Sequence, residues 1–260
     1  MGTRLTSIAK NKLILLREHR ELREHRGGVV TATLAGVKQQ IISCNQCARL
    51  RTYCQRVASE KRAAYRHDTY WGRPVAGFGD PHARVLVLGL APAAHGANRT
   101  GRVFTGDGRL GSGDFLMRAM HAHGFASIPA SQSADDGLIL SDAFIAAAVR
   151  CAPPDNKPTP GEIAACHVHL VAEVAALPRV AVIIGLGRIA FDTAWRLLSD
   201  RGLVVRPRPP FGHDAAHEVD GYMVIGSYHP SRQNTNTGRL TPAMMDAVFA
   251  RARRWVGSGL

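Results

Sequence analysis

Residues 85–108 read VLVLGLAPAAHGANRTGRVFTGDG, an apolar run that breaks at Gly89-Leu90-Ala91-Pro92 into a glycine-rich loop carrying Arg99 and Arg102. A short apolar run that ends this way reads as a buried strand of an open α/β sheet, and ligands of such sheets bind beyond the carboxyl ends of the strands. The loop is not a phosphate loop, because neither G-x-x-x-x-G-K-S/T nor G-x-G-x-x-G can be laid on its glycines. Small residues at this density either let something flat approach the backbone or make a plain surface loop. The rest of the chain decides between the two.

Working outward, Ile139–Val149, Val180–Leu186 and Tyr222–Ser227 supply three further extended segments. Phe115–Gly124, Pro160–Ala176 and Arg188–Ser199 alternate with them as helices, and Thr241 with Pro242 has the N-cap and first-turn chemistry that opens a last helix. Strands alternating with helices predict an α/β fold in which a central, mainly parallel four-stranded sheet is flanked by helices on both faces. The parallel strands send their carboxyl ends to one edge. There the loop after Leu90 meets the second polar strand end, Tyr228-His229-Pro230-Ser231 followed by RQNTNTGRLT. Two loops far apart in sequence are thereby expected to face one cleft.

Composition bounds the possible partners. With 260 residues, 33 Lys and Arg against 20 Asp and Glu, and a net charge of +13, the chain suits one large domain and favours a polyanion. No apolar run is long enough to span a membrane, and MGTRLTSIAKNKLILLREHRELREHR lacks the apolar region and cleavage site of a signal peptide, so the expectation is a cytoplasmic protein without membrane contact. Residues 4–26 read as a charged, partly amphipathic helix within an N-terminal extension over 1–40, and residues 41–260 as a single α/β domain. Five cysteines cannot all pair; Cys44 and Cys47 form C-x2-C, which in a reducing compartment points to metal or redox chemistry. Cys54, Cys151 and Cys166 remain, and a site of four thiolates suits either structural zinc or an iron-sulfur cluster.

GLAPAAHGANRTGRVFTGD and GSYHPSRQNTNTGRLT resemble the two signature motifs of the type B, or family five, uracil-DNA glycosylases, and WGRPVAGFGDP and VRCAPPDNKPTP resemble further segments of that family. The likeness runs from about residue 44 to 250. It implies a three-layer, uracil-DNA glycosylase-like sandwich and a monomeric repair enzyme acting on double-stranded DNA. The implied reaction flips out a damaged nucleotide, hydrolyses the N-glycosidic bond and leaves an abasic site. It also implies a 4Fe-4S cluster on Cys44, Cys47, Cys151 and Cys166, whose spacing matches the ligands of related cluster-bearing glycosylases, with Cys54 left over as a buried thiol.

Carried onto this chain residue by residue, the resemblance makes His229 the donor to the departing base and Phe104 the ring on which that base stacks. Gly89, Leu90, Ala91 and Ala147 line the base site. Leu90 stands where sister families have an acid or amide, so the catalytic carboxylate is expected further along the motif, at Asp107, with Asp114 as the alternative and a turn or helix cap as the plain structural role of Asp107. Ala147 stands where uracil-restricted relatives have an Asn, and a small apolar residue discriminates less than an amide, which implies excision of other deaminated bases such as hypoxanthine beside uracil. Arg99, Arg102 and Arg109 in the first loop and Ser231, Arg232, Gln233 and Asn234 in the second are expected at the DNA. The rival from another class is a DNA-binding iron-sulfur redox sensor without glycosylase activity, for which basic charge and four cysteines suffice.

Overall fold

The protein is described from a computed structural model, which covers residues 33–106, 108 and 111–258. The expected helix over 4–26, Asp107 and Arg109 lie outside the described residues.

Six strands form one sheet: β1 (Phe78–Gly79), β2 (Val85–Gly89), β3 (Ala143–Ala147), β4 (Val182–Leu186), β5 (Ala216–Val219) and β6 (Tyr222–Ser227), in the spatial order β1-β3-β2-β4-β6-β5. β3, β2, β4 and β6 pair in parallel and are the four strands the sequence predicts. The expected count of four is corrected by two antiparallel edge strands, β1 against β3 and β5 against β6. β1 has two residues inside a Pro/Gly-rich stretch and β5 reads AHEV, so neither is long or apolar enough to announce itself. The segment expected from Ile139 is also shorter, since Ile139 is exposed and the strand begins at Ala143.

Both faces of the sheet are covered, which is why β2, β3 and β4 are buried at every residue. Along β2 the pleat sends Val85 and Val87 to one core and Leu86 and Leu88 to the other. The first core is closed by α4 (Ser112–Ala122) and α8 (Pro242–Gly257), through Leu116, Met117, Met120, Met245 and Phe249. The second is closed by α5 (Pro160–Ala175) and α6 (Arg188–Ser199), through Leu170, Val174, Phe191 and Trp195. This is the three-layer arrangement the sequence implied.

Helix starts follow their local chemistry. Thr159 and Glu162 make a reciprocal capping box ahead of Pro160, and the Thr241 hydroxyl accepts from the Met244 N–H ahead of Pro242. Among the described residues two α-helices precede the sheet, α1 (Leu34–Ile42) and α2 (Ala48–Glu60). α1 straddles residue 40 and buries Val37 and Ile41 against Ala76 and Ala172. Two short helices follow the site-bearing strands: α3 (Ala97–Thr100) after β2, and α7 (Arg232–Asn236) after β6.

Candidate active site

β2 and β6 are the two parallel neighbours of β4, so their carboxyl ends open on the same edge, one strand apart. A cleft of about 760 Å³ lies there. Its floor deepens into an apolar recess bordered by Ala91, Phe104, Ala147 and His229. The sequence reading is met on this point: residues from the first motif, the second motif and β3 surround one space.

Phe104 is set into the recess by backbone that few side chains adopt. Its φ of 51° is left-handed, a conformation that costs of order 1–3 kcal/mol in a non-glycine residue. The ring lies against the end of β2, where a Cβ on Gly89 would come within 2.8 Å of the Phe104 Cε2. This contact is the reason for the glycine. On its other side the ring meets His229, with centroids 5.7 Å apart and planes tilted by 30°.

The second motif is ordered by its own side chains. Asn234 Nδ2 donates to the His229 carbonyl at 2.8 Å, and the Asn234 carbonyl accepts from the Leu240 N–H at 3.0 Å. Asn234, expected at the DNA, thus has its amide turned onto the turn that carries His229. Ser231, Arg232 and Gln233 do line the cleft, the latter two exposed. Behind them His213 Nδ1 accepts from the Tyr228 N–H at 3.2 Å, and burial pulls the His213 pKa below its ordinary value.

The two arginines of the first motif, expected at the DNA, are engaged within the protein. Arg102 is 8 % exposed, and its guanidinium is engaged by Thr105, Ser131, Ala134 and Asp136. Arg99 stacks 4.0 Å from the Tyr65 ring and donates to the His95 carbonyl at 2.9 Å, to Asp68 and to the Gly106 carbonyl. Both face inward because the loop folds back on itself. Asp114, the alternative carboxylate, is buried and accepts from the Ser131 N–H at 3.1 Å and from Gln132 Nε2 at 2.6 Å.

Several cleft residues were not singled out from sequence. Tyr53 on α2, Arg62 and Tyr65 just after it, and Asn156 after β3 also line the cleft. His95 joins them, its Nδ1 2.9 Å from the Tyr70 hydroxyl; burial first, then Arg62 and Arg99, lowers its pKa. The interleaving of basic and aromatic residues in KRAAYRH was the available signal.

Away from the cleft, Cys44, Cys47, Cys151 and Cys166 border one void, together with Leu50 and Val149. None is in a disulfide. Burial raises the Cys166 thiol to about 12, although its sulfur accepts from the Arg150 N–H at 3.2 Å; burial, then Cys151, also raises Cys47. Cys54 is buried and donates to the Ala152 carbonyl at 3.5 Å. Arg150 reaches the same void. It is 1 % exposed and lies 2.6 Å from Glu173, yet its guanidinium nitrogens have no aligned hydrogen bond among the described residues. No three His, Cys, Asp or Glu side chains among the described residues are gathered tightly enough for a single ion.

Comparison with known proteins agrees with this geometry. A family model described as "Uracil DNA glycosylase superfamily" matches residues 76–253. The type-5 uracil-DNA glycosylase of Thermus thermophilus is 48 % identical over 220 residues, covering 84 % of this chain and 96 % of that protein. That of Mycobacterium tuberculosis is 47 % identical over 216 residues, 82 % and 78 % of the two chains, and that of Pyrobaculum aerophilum is 40 % identical over 213 residues, 82 % and 89 %. The matched span holds both strand ends, the recess between them and two of the four cysteines around the void, and the chain belongs to the uracil DNA glycosylase superfamily.

Proposed function

We propose that the protein is a DNA-repair glycosylase that draws uracil out of DNA into the recess between Phe104, Ala147 and His229 and hydrolyses the N-glycosidic bond, leaving an abasic site. The juxtaposition of the Phe104 and His229 rings at the mouth of that recess carries the reading. Breaking the bond builds positive charge on the sugar and negative charge on the base, so a catalyst must stabilise both. Phe104 stacks on the base, and His229 donates to its O2 as charge gathers there. Asp107 supplies negative charge or positions water beside the sugar. Incubating a uracil-containing duplex with the protein and then with alkali tests this: a strand break at the uracil is expected, and binding without a break would favour the redox-sensor reading. That rival is not favoured, since it gives no role to Phe104 or His229.

Leu90 at the cleft and Ala147 in the recess place no polar side chain against the base edge. Hypoxanthine and other deaminated bases are therefore taken as substrates beside uracil, while thymine is refused. Ser231, Arg232 and Gln233, joined by Arg62, track the phosphates of double-stranded DNA. The enzyme acts as a monomer in the cytoplasm.

We propose further that Cys44, Cys47, Cys151 and Cys166 would hold a 4Fe-4S cluster. Four thiols border one space, and a buried guanidinium with unaligned donors, Arg150, suits the net negative charge of four thiolates. When bound, the cluster would supply iron-thiolate bonds that staple the segment before α2 to Cys151, after β3, and to Cys166 on α5. Arg49, in the first turn of α2, already makes a two-point pair with Glu162, in the first turn of α5, at 2.8 and 2.7 Å. Iron analysis of the purified protein should return about four atoms per chain; colourless protein with one zinc would overturn the assignment.

A further inference from the structure

The loop that carries Phe104 is fastened to a second loop, residues 131–136, by one buried cation. Arg102 Nε donates to Thr105 Oγ1 at 2.9 Å, Nη1 to the Ala134 carbonyl at 3.1 Å, and Nη2 to Ser131 Oγ at 3.1 Å and to both Asp136 oxygens at 2.8 Å. Asp136 is fixed in turn by the N–H groups of Gln132, at 2.8 Å, and Leu138, at 3.0 Å. The loops are joined again by the Thr105 and Ser131 hydroxyls, 2.6 Å apart, and by the Gly106 N–H donating to the Ser131 carbonyl at 2.9 Å. Every one of these contacts falls within two residues of Phe104 on the first loop.

A left-handed phenylalanine does not hold its conformation unaided; the surroundings must determine it. We propose that Arg102, with Asp136 and Ser131, is a positioning residue for base excision. It clamps the Val103–Gly106 turn so that the Phe104 ring is already presented to the flipped base, and it makes no contact with DNA. This rests on the glycosylase reading above, and it reverses the role that the motif suggests for an arginine in a basic loop. The clamp is electrically closed, since the charge of Arg102 is matched by Asp136 inside the protein.

The consequence is separable from DNA binding and from folding. In Arg102→Met the turn loses its fastening, and single-turnover excision of uracil should fall about a hundred-fold, the scale expected when a reacting group is misplaced by about an ångström. Affinity for undamaged duplex and the slope of log affinity against log salt should stay at the wild-type values. Because Arg102→Met leaves Asp136 uncompensated and can lower stability, Thr105→Val and Thr105→Ser form the second arm: both keep the ion pair, and only the serine keeps the hydroxyl. Slow excision in Thr105→Val with recovery in Thr105→Ser, at equal thermal midpoints, is the expected result. A shallower salt slope with weakened binding in Arg102→Met would make Arg102 a phosphate ligand and overturn the clamp. Wild-type excision rates in folded Arg102→Met or in Thr105→Val would overturn it as well. Wild-type protein that fails to cut uracil would sink the glycosylase reading and the clamp together, whereas an active wild type with equally active variants would sink the clamp alone.

Discussion

Two buried arginines mark the two ends of this molecule's chemistry. Arg102, behind the cleft, has all its donating nitrogens engaged by the loop it fastens. Arg150, beside the cysteine void, has one carboxylate at 2.6 Å and guanidinium nitrogens without aligned partners. The difference is instructive because net charge does not reveal it. At the cleft the buried cation is consumed in holding shape, and under the proposed function DNA is met by the exposed Arg232 and its neighbours. At the void the cation is left incompletely satisfied, which is the condition for stabilising something anionic placed next to it.

The largest expected effect sharpens this separation. His229→Ala should slow single-turnover excision by roughly a hundred- to a thousand-fold, the usual loss for one donor aimed at developing charge, while iron content and affinity for duplex stay unchanged. A drop in iron in that variant would break the distinction between the two ends. Next, Arg150→Met should unfold more easily in denaturant, by about 3–5 kcal/mol, since it leaves Glu173 buried without its partner. Pairing it with Glu173→Gln should restore much of that stability but not the bound iron. Visible absorbance and an iron assay follow the second half of this prediction; full iron in the paired variant would mean that Arg150 answers only to Glu173.

Smaller effects probe the cleft alone. Ala147→Asn should narrow the substrate range, keeping uracil and losing hypoxanthine, as read on duplexes that differ only in the lesion. Arg232→Ala should weaken binding to all duplexes alike and reduce the salt slope by about 1, in contrast to the unchanged slope expected for Arg102→Met. The smallest effect concerns acid. His95 and His213 have folded-state pKa values below the ordinary value of 6.5, so the unfolded chain binds more protons and stability falls as the pH drops through and below that value. Asp136, where burial is outweighed by Arg102 and backbone donors, and Glu162, paired with Arg49, are both held below the usual carboxylate range and add to the fall at lower pH. Thermal midpoints taken between pH 7 and 5 should decline, less steeply in His213→Gln.

Much of this architecture is legible in the amino-acid sequence. The apolar run at Val85, the parallel strands and the meeting of the two motif loops all follow from periodicity and strand direction, and those signals are local. Phe104, His229, Ala91 and Ala147 border one recess, and Leu90 lines the cleft above it. The direction in which an arginine points is not legible, because Arg102 is buried by residues 131–136, thirty positions away, and nothing in NRTGR announces them. Tyr65, Arg62 and His95 escape notice for a related reason: they reach the cleft by tertiary placement of segments without period. Edge strands of two and four residues carry too little pattern to be read.

The contact between Gly89 and Phe104 also has a consequence for how the sequence can change. A Cβ at 89 would overlap the ring, so no larger residue is admissible at 89 while 104 is aromatic, and shrinking 104 first gives up the stacking face. The two sites are therefore expected to behave as an epistatic pair, with impaired intermediates. A library randomised at both positions and selected for uracil excision should return glycine at 89 in every survivor that keeps an aromatic ring at 104.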